Sequence, residues 1–465
     1  MKTTWVATRN ARQIKTGYIL LIAMLLLDFS CSKNNDLELI EEENAMMSKS
    51  ANTSPNTVLA WNQVMEDLYT FSLNGPGTPP PSASYTWALV HLAMHDALNG
   101  IVPRYETYAG VPRDKDANPD AAVSQAAYDV LMAINQLPFA PAYLPQNFQS
   151  INALLAETLD GIPDGEAKNK GIALGHAVAE AIMAKRAGDT PNLAPGVPNQ
   201  PAEGTQPGEY RYLPYPLAPN GMGYALANFH KLKPFFMVTN DMFRSEPPYE
   251  TSSPEYAADL NETKDFGALN SQVRSADQTE LGVFWAENSS RGWNVVARIV
   301  RDSYNEKSQN AWKTARYLAL VHSAIADSYI SIFESKMYHY FWRPITAIQL
   351  ADNDGNDATT ADPSWVPLLN TPPLGEYPSA HAISGSVAGQ VIIRFFDDRD
   401  NYELNLDSGY MPGVIRSFSS VSDAVRENSL SRIYIGYHFR LAVDVGEALG
   451  KELGDYVYEN ALKEK

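Results

Sequence analysis

Residues 311–344 read AWKTARYLALVHSAIADSYISIFESKMYHYFWRP. Leu318, Val321, Ile325 and Ile332 recur at helical steps and form one apolar stripe, which predicts a helix over Ala311–Ser335. The stretch ends in KMYHYFWRP, Lys336–Pro344. Lys336 and Arg343 are seven residues apart, two helical turns and nearly one face. Taken alone, such a pair reads most simply as a solvated face.

The same period recurs along the chain. Val58, Trp61, Val64, Met65, Leu68 and Phe71 mark an amphipathic helix. Tyr85–Leu98 reads as a second, closed by Asn99-Gly100. Further helices are predicted over Ala121–Ile134, Phe148–Leu159 and Gly165–Lys185, near Pro254, and over Leu281–Ala286 and Trp293–Tyr304. Two more follow, from about Ala380 to Phe396 and from about Leu441 to Leu462. No alternating strand of any length stands out. The expected fold class is therefore all-α: helical bundles with long Pro-rich loops. Eight prolines fall between Pro191 and Pro219, a density no regular helix survives. Tyr210, Tyr212 and Tyr215 in that stretch favour a packed loop over a linker. Residues 351–377 form another loop, rich in Pro, Asp and Asn. The organisation expected is an N-terminal helical region over 57–310 and a C-terminal bundle over 311–465, together one compact unit.

One internal echo crosses that boundary. Leu89–Asp96 (LVHLAMHD) and Leu320–Asp327 (LVHSAIAD) share the pattern LVHxAxxD. It reads either as coincidence between two alanine-rich core helices or as a duplicated bundle.

Composition narrows the setting. Apolar residues are 45% and charged residues 19% of 465, enough for a large core and too little charge for disorder. Residues 1–30 carry a basic start (Lys2, Arg9, Arg12, Lys15) and an apolar run, Tyr18–Leu27, too short to span a bilayer. The pattern predicts a signal peptide. Cys31 follows, the single cysteine of the chain, so no internal disulfide can form. A lone cysteine behind such a core resembles a bacterial lipoprotein site, although Asp28 and Phe29 depart from its usual small or aliphatic residues; the alternative is an ordinary signal cut nearby. Residues 31–56 read as a flexible tether after a lipidated Cys31. The expectation is an exported protein, lipid-anchored to a bacterial membrane and facing the periplasm or cell surface. Without residues 1–30 the charge is 32 basic against 53 acidic, net −21. Such a surface repels nucleic acid and anionic headgroups, so the membrane would be met only through the anchor.

Two more stretches join the first: Pro378–His381 (PSAH) and Ser431–His438 (SRIYIGYH). Singly they are weak, since PSxH is as easily a helix start with a capping serine. Together they offer one lysine, two arginines, a serine and two histidines, a set suited to a tetrahedral oxyanion. Lysine and arginine neutralise oxygens, and arginine can do so with a two-pronged fork. A serine hydroxyl and backbone N–H groups complete the cradle. One histidine can bond the central atom while the other moves protons.

The ordered triple resembles the signature K-x6-RP, PSGH, SR-x5-H of the superfamily that joins vanadium-dependent haloperoxidases to type 2 phosphatidic acid phosphatases (PAP2). The match keeps order and internal spacing over residues 311–450 and is loose over 57–310, where His95–Ala97 looks like the family's N-terminal region. The one departure is Ala380 in place of glycine. If that position needs a positive φ, the methyl costs roughly 1–2 kcal/mol. The resemblance implies that Lys336, Arg343 and Arg432 hold the oxygens of vanadate or phosphate, with Ser379 and the N–H of Ala380 adding hydrogen bonds. It implies that His438 binds vanadium, or attacks phosphorus to give a phosphohistidine, and that His381 carries protons. Asp327, nine before Lys336, resembles the family's D-x8-K and is expected to pair with one of the basic groups. Asp444, six after His438, is a weaker candidate of the same kind. The alternative for Asp327 is a plain surface acid.

Three functions remain open. The first is a vanadate-dependent haloperoxidase using hydrogen peroxide and a halide, which the two-bundle reading favours. The second is a phosphatase of small phosphomonoesters needing no cofactor, whose usual chains are shorter. The third is a non-catalytic surface lipoprotein, against which the complete basic and histidine set counts.

Overall fold

The computed structural model describes residues 54–69, 79–136, 145–189, 200–214, 221–304, 310–399 and 401–465. The leader, Cys31 and the expected tether up to Thr53 lie outside them, as do Phe71 and Tyr215. Thirteen α-helices are present among the described residues: α1 (Asn56–Tyr69), α2 (Pro80–Ile101), α3 (Pro119–Asn135), α4 (Pro145–Asp160), α5 (Glu166–Lys185), α6 (Pro254–Gly267), α7 (Ala276–Phe284), α8 (Ser289–Asp302), α9 (Ala311–His339), α10 (Pro344–Gln349), α11 (Ala380–Phe396), α12 (Val421–Tyr434) and α13 (Arg440–Asn460). The protein is mostly helical, and Ser54–Lys465 form one compact unit. None of these helices is long and apolar enough to cross a membrane.

Local chemistry sets the helix starts. Asn118, Ser253, Asn310 and Ser379 each accept a hydrogen bond from the backbone N–H three residues on, and Ser275 with Gln278 closes a capping box. The 29-residue α9 runs longer than Ala311–Ser335 and ends on Tyr340 at φ 48°, a left-handed cap. Two short antiparallel pairs supplement the helices: β1 (Leu213–Pro214) with β2 (Met222–Gly223), and β3 (Leu404–Asp407) with β4 (Ile415–Phe418). Sequence pattern missed the second hairpin because its alternation, Leu404 and Leu406 inward, lasts four residues.

The internal echo is a duplication. α2 and α9 pack against each other at the centre, with the imidazoles of His91 and His322 in contact at 4.3 Å between ring centres, tilted by 32°. Asp96 accepts the backbone N–H groups of Tyr108 and Ala109; Asp327 accepts those of Phe235, Phe236 and Met237. The outer helices repeat the relation. Gly171 and Gly175 of α5 sit against Asn118 and Ala122 of α3, and Gly446 and Gly450 of α13 sit against Ser379 and Ile383 of α11, at the same spacings. A Cβ at Gly450 would stand 2.6 Å from the Ile383 carbonyl, so glycine permits the close approach. Carried through the repeat by the matched glycines and caps, His381 corresponds to Asp120, while α2 ends at Ile101, before the position that would match Lys336. The first repeat therefore lacks the cationic set, and the second carries it.

The stretch beyond Gly188 packs as expected where it is described. Tyr210 donates its backbone N–H to the Tyr340 carbonyl and stacks edge-on with Tyr224 and Tyr340.

Candidate active site

Four elements bring the functional side chains to one place. Lys336 lies in the last turn of α9, Arg343 caps the start of α10, Ser379 caps the start of α11, and Arg432 lies in the last turn of α12. His438 precedes α13. Lys336 and Arg343 do not share a helical face, because the left-handed turn at Tyr340 ends α9 between them. They converge because both bind the loop leading to α11. Lys336 Nζ donates to the carbonyls of Gly375 (2.9 Å) and Glu376 (2.6 Å), and Arg343 Nε donates to that of Leu374 (2.6 Å). Arg343 Nη1 donates to the Tyr437 carbonyl (3.0 Å) and to His438 Nε2 (3.1 Å). Arg432 Nε donates to Ser431 Oγ (2.9 Å), while its Nη2 is buried without a protein partner.

Ala380 is the first residue of α11 and is not among the positive-φ residues, so its methyl carries no backbone strain. Ser379 and Ala380 thus stand at a helix N-terminus, where free N–H groups and the dipole favour an anion. His381, one residue on, is half-buried. Its Nδ1 lies 3.2 Å from Ser289 Oγ, and its Nε2 has no protein partner. Ser289 Oγ also meets the hydroxyls of Tyr329 (3.0 Å) and Ser384 (3.0 Å), and Asn428 Nδ2 donates to the His381 carbonyl (3.1 Å).

The electrostatics are those of a cationic cavity. Burial, then the neighbouring Arg343, pushes Lys336 well below its ordinary value; burial lowers Arg343 and brings Arg432 down to about 10. Burial and the adjacent cations hold both His438 and His381 well below the usual imidazole range, so both are neutral at pH 7. Among the described residues, the carboxylate at this group is Glu376, fully buried and 2.9 Å from His438 Nδ1; burial raises it to about 7 against the pull of Lys336 and Arg343. Three buried cations against one carboxylate leave positive charge to be met. An oxyanion meets it and gives Arg432 Nη2 and His381 Nε2 an acceptor.

The two acids proposed from spacing are elsewhere. Asp327 binds the Phe235–Met237 backbone, since nine residues at 100° each place it on the face of α9 opposite Lys336. Asp444 pairs with Arg426 at the surface (3.1 Å). Glu376, Ser289 and Asn428 were not singled out in the sequence. Glu376, three residues before Ser379, had position as its signal; Ser289 and Asn428 had none.

Comparisons with known proteins bear on the fold and the family. Residues 46–222 match the vanadium chloroperoxidase N-terminal domain, and residues 316–464 match the second helical-bundle domain of the same family. The chain is 26% identical to a vanadium chloroperoxidase of Curvularia inaequalis, over 83% of this chain and 78% of that one. A crystal structure of a bacterial vanadium-dependent iodoperoxidase superposes with a TM-score of 0.70 at 23% identity, covering 89% of this chain and 98% of that one. A holo-type bacterial vanadium-dependent chloroperoxidase gives 0.67 at 19% identity, covering 85% and 95%. With the duplicated bundle and both matched domains, the chain belongs to the vanadium haloperoxidase superfamily, whose members are enzymes.

Proposed function

We propose that the protein is a vanadate-dependent haloperoxidase and that Lys336, Arg343, Ser379, Ala380, Arg432, His381 and His438 form its active site. The observation that carries this reading is the buried cationic cavity with two unpartnered donors beside two neutral histidines. Lys336, Arg343 and Arg432 would hold the oxygens of vanadate, and the α11 N-terminus would add N–H groups. When bound, vanadate supplies the reaction with hydrogen peroxide that delivers an oxidising oxygen to the halide.

The histidines divide the remaining work. His438 presents Nε2, whose lone pair now accepts from Arg343, and is the residue that would bond vanadium. His381 leads with a free Nε2 and rests its Nδ1 on a serine hydroxyl. A hydroxyl both donates and accepts, so His381 can take up or release a proton at Nε2 while Ser289, Ser384 and Tyr329 rotate to match.

The test is halide oxidation by the purified protein with peroxide, before and after addition of orthovanadate, beside hydrolysis of a phosphomonoester. Vanadate-dependent oxidation of iodide or bromide supports the reading. Ester hydrolysis alone, inhibited by vanadate, assigns the site to the phosphatase branch.

A further inference from the structure

We propose that Glu376 is a positioning residue that fixes which nitrogen of His438 faces the oxyanion. The inference rests on the reading of His438 as the residue that bonds vanadium.

Lys336, Arg343 and Arg432 gather positive charge for an anion, yet a fully buried carboxylate stands among them. For attracting an anion alone, Glu376 is unfavourable, since it repels the ligand. Its hydrogen bonds show another use. Oε1 accepts from the Phe439 backbone N–H at 3.0 Å, which holds the carboxylate still, and lies 2.9 Å from His438 Nδ1.

The partners of the ring then decide its tautomer. A guanidinium can only donate, so Arg343 Nη1 at 3.1 Å requires His438 Nε2 to accept. A neutral imidazole with an accepting Nε2 carries its proton on Nδ1, and Nδ1 donates to Glu376. The ring is bracketed by a donor-only group on one nitrogen and an acceptor on the other. His381 differs: its Nδ1 rests on a hydroxyl that accommodates either tautomer. One histidine is locked with its lone pair directed at the cavity, and the other is left free to exchange a proton. Electron density pushed from the carboxylate into the ring also makes Nε2 a better donor to the central atom.

The experiment compares two oxyanions. Vanadate can take a fifth bond from an imidazole nitrogen, whereas sulfate cannot and reports the cationic cradle alone. Affinities for orthovanadate and for sulfate are measured by calorimetry in the parent and in Glu376→Gln. The expected result is a loss of at least about tenfold for vanadate, with sulfate affinity held or increased because a negative charge has gone. Equal losses for both ions would reduce Glu376 to a structural support and overturn the proposal, as would unchanged vanadate affinity. The ring ¹⁵N spectrum of the parent, assigned with His438→Gln, gives a readout that needs neither vanadate nor a folded Glu376 variant. It should show Nδ1 protonated and Nε2 bare; the opposite tautomer overturns the proposal. A parent that binds sulfate but no vanadate, with Nδ1 protonated, removes the haloperoxidase reading and leaves the tautomer lock in place.

Discussion

At the scale of single residues, the cavity is a balance of buried charge. Removing one member of a buried charged pair leaves its partners uncompensated, at about 2–5 kcal/mol. Vanadate affinity should therefore fall tenfold or more in Arg343→Ala and in Arg432→Ala, measured by equilibrium binding; parent-like affinity in both would move the site elsewhere. The histidine roles separate in the same assay. His438→Ala should lose vanadate, while His381→Ala should keep it and lose roughly 10²- to 10⁴-fold in turnover. The reverse pattern would mean that the two roles are exchanged. The residues of the three short stretches stood out in the sequence because each stretch keeps its internal spacing, a local signal, whereas the turn at Tyr340 that parts Lys336 from Arg343 did not. Asp327 could not be placed by spacing alone, since its nine-residue distance from Lys336 is half a turn out of phase on one helix. Ser289 becomes visible only when the chain is folded, because it meets His381 across many residues of sequence, and Glu376 had only its place near Ser379 to mark it.

At the scale of elements, most helices were legible from apolar period, but α10 and α12 were not, and neither were the contacts between helices. The echo LVHxAxxD left coincidence open, and the paired His91 and His322 with the matched glycines decide for duplication. Those glycines carry a prediction. A Cβ at Gly446 would stand 2.7 Å from the Ser379 carbonyl, so Gly446→Val should push α13 from the α11 start that bears Ser379, Ala380 and His381. Overpacking of this kind costs about 1–3 kcal/mol, read as a lower melting temperature, and vanadate binding should weaken with it. A variant as stable as the parent would mean that the helices part without cost. The paired histidines carry another. Burial lowers His91 to about 4 and His322 well below its ordinary 6.5. Between pH 6.5 and 4 the unfolded chain binds protons that the folded one refuses, so stability falls as pH falls through that window. Each such histidine contributes a slope of about 1.4 kcal/mol per pH unit. His91→Gln should flatten the slope of unfolding free energy against pH; an unchanged slope would place the acid sensitivity in other groups.

At the scale of the whole molecule, two repeats share one site, which lies in the second. The second repeat carries the oxyanion set, and the first has Asp120 where the second has His381. Composition had no means of showing that asymmetry, whereas the carried-through repeat does. The setting of the enzyme is a separate proposal, resting on Cys31 and the basic, then apolar, leader. Cys31→Ser should move the protein from the membrane fraction to the soluble fraction of its host; an unchanged membrane fraction would rule out this anchor. The central claim is that one oxyanion site joins α9, α10, α11, α12 and the start of α13. Its most direct test is a crystal structure of the protein equilibrated with orthovanadate. The account predicts vanadium density within bonding distance of His438 Nε2, with oxygens on Lys336, Arg343, Arg432 and the Ala380 N–H. Vanadium bound at any other residue, or a saturated crystal with none in this cavity, would contradict it.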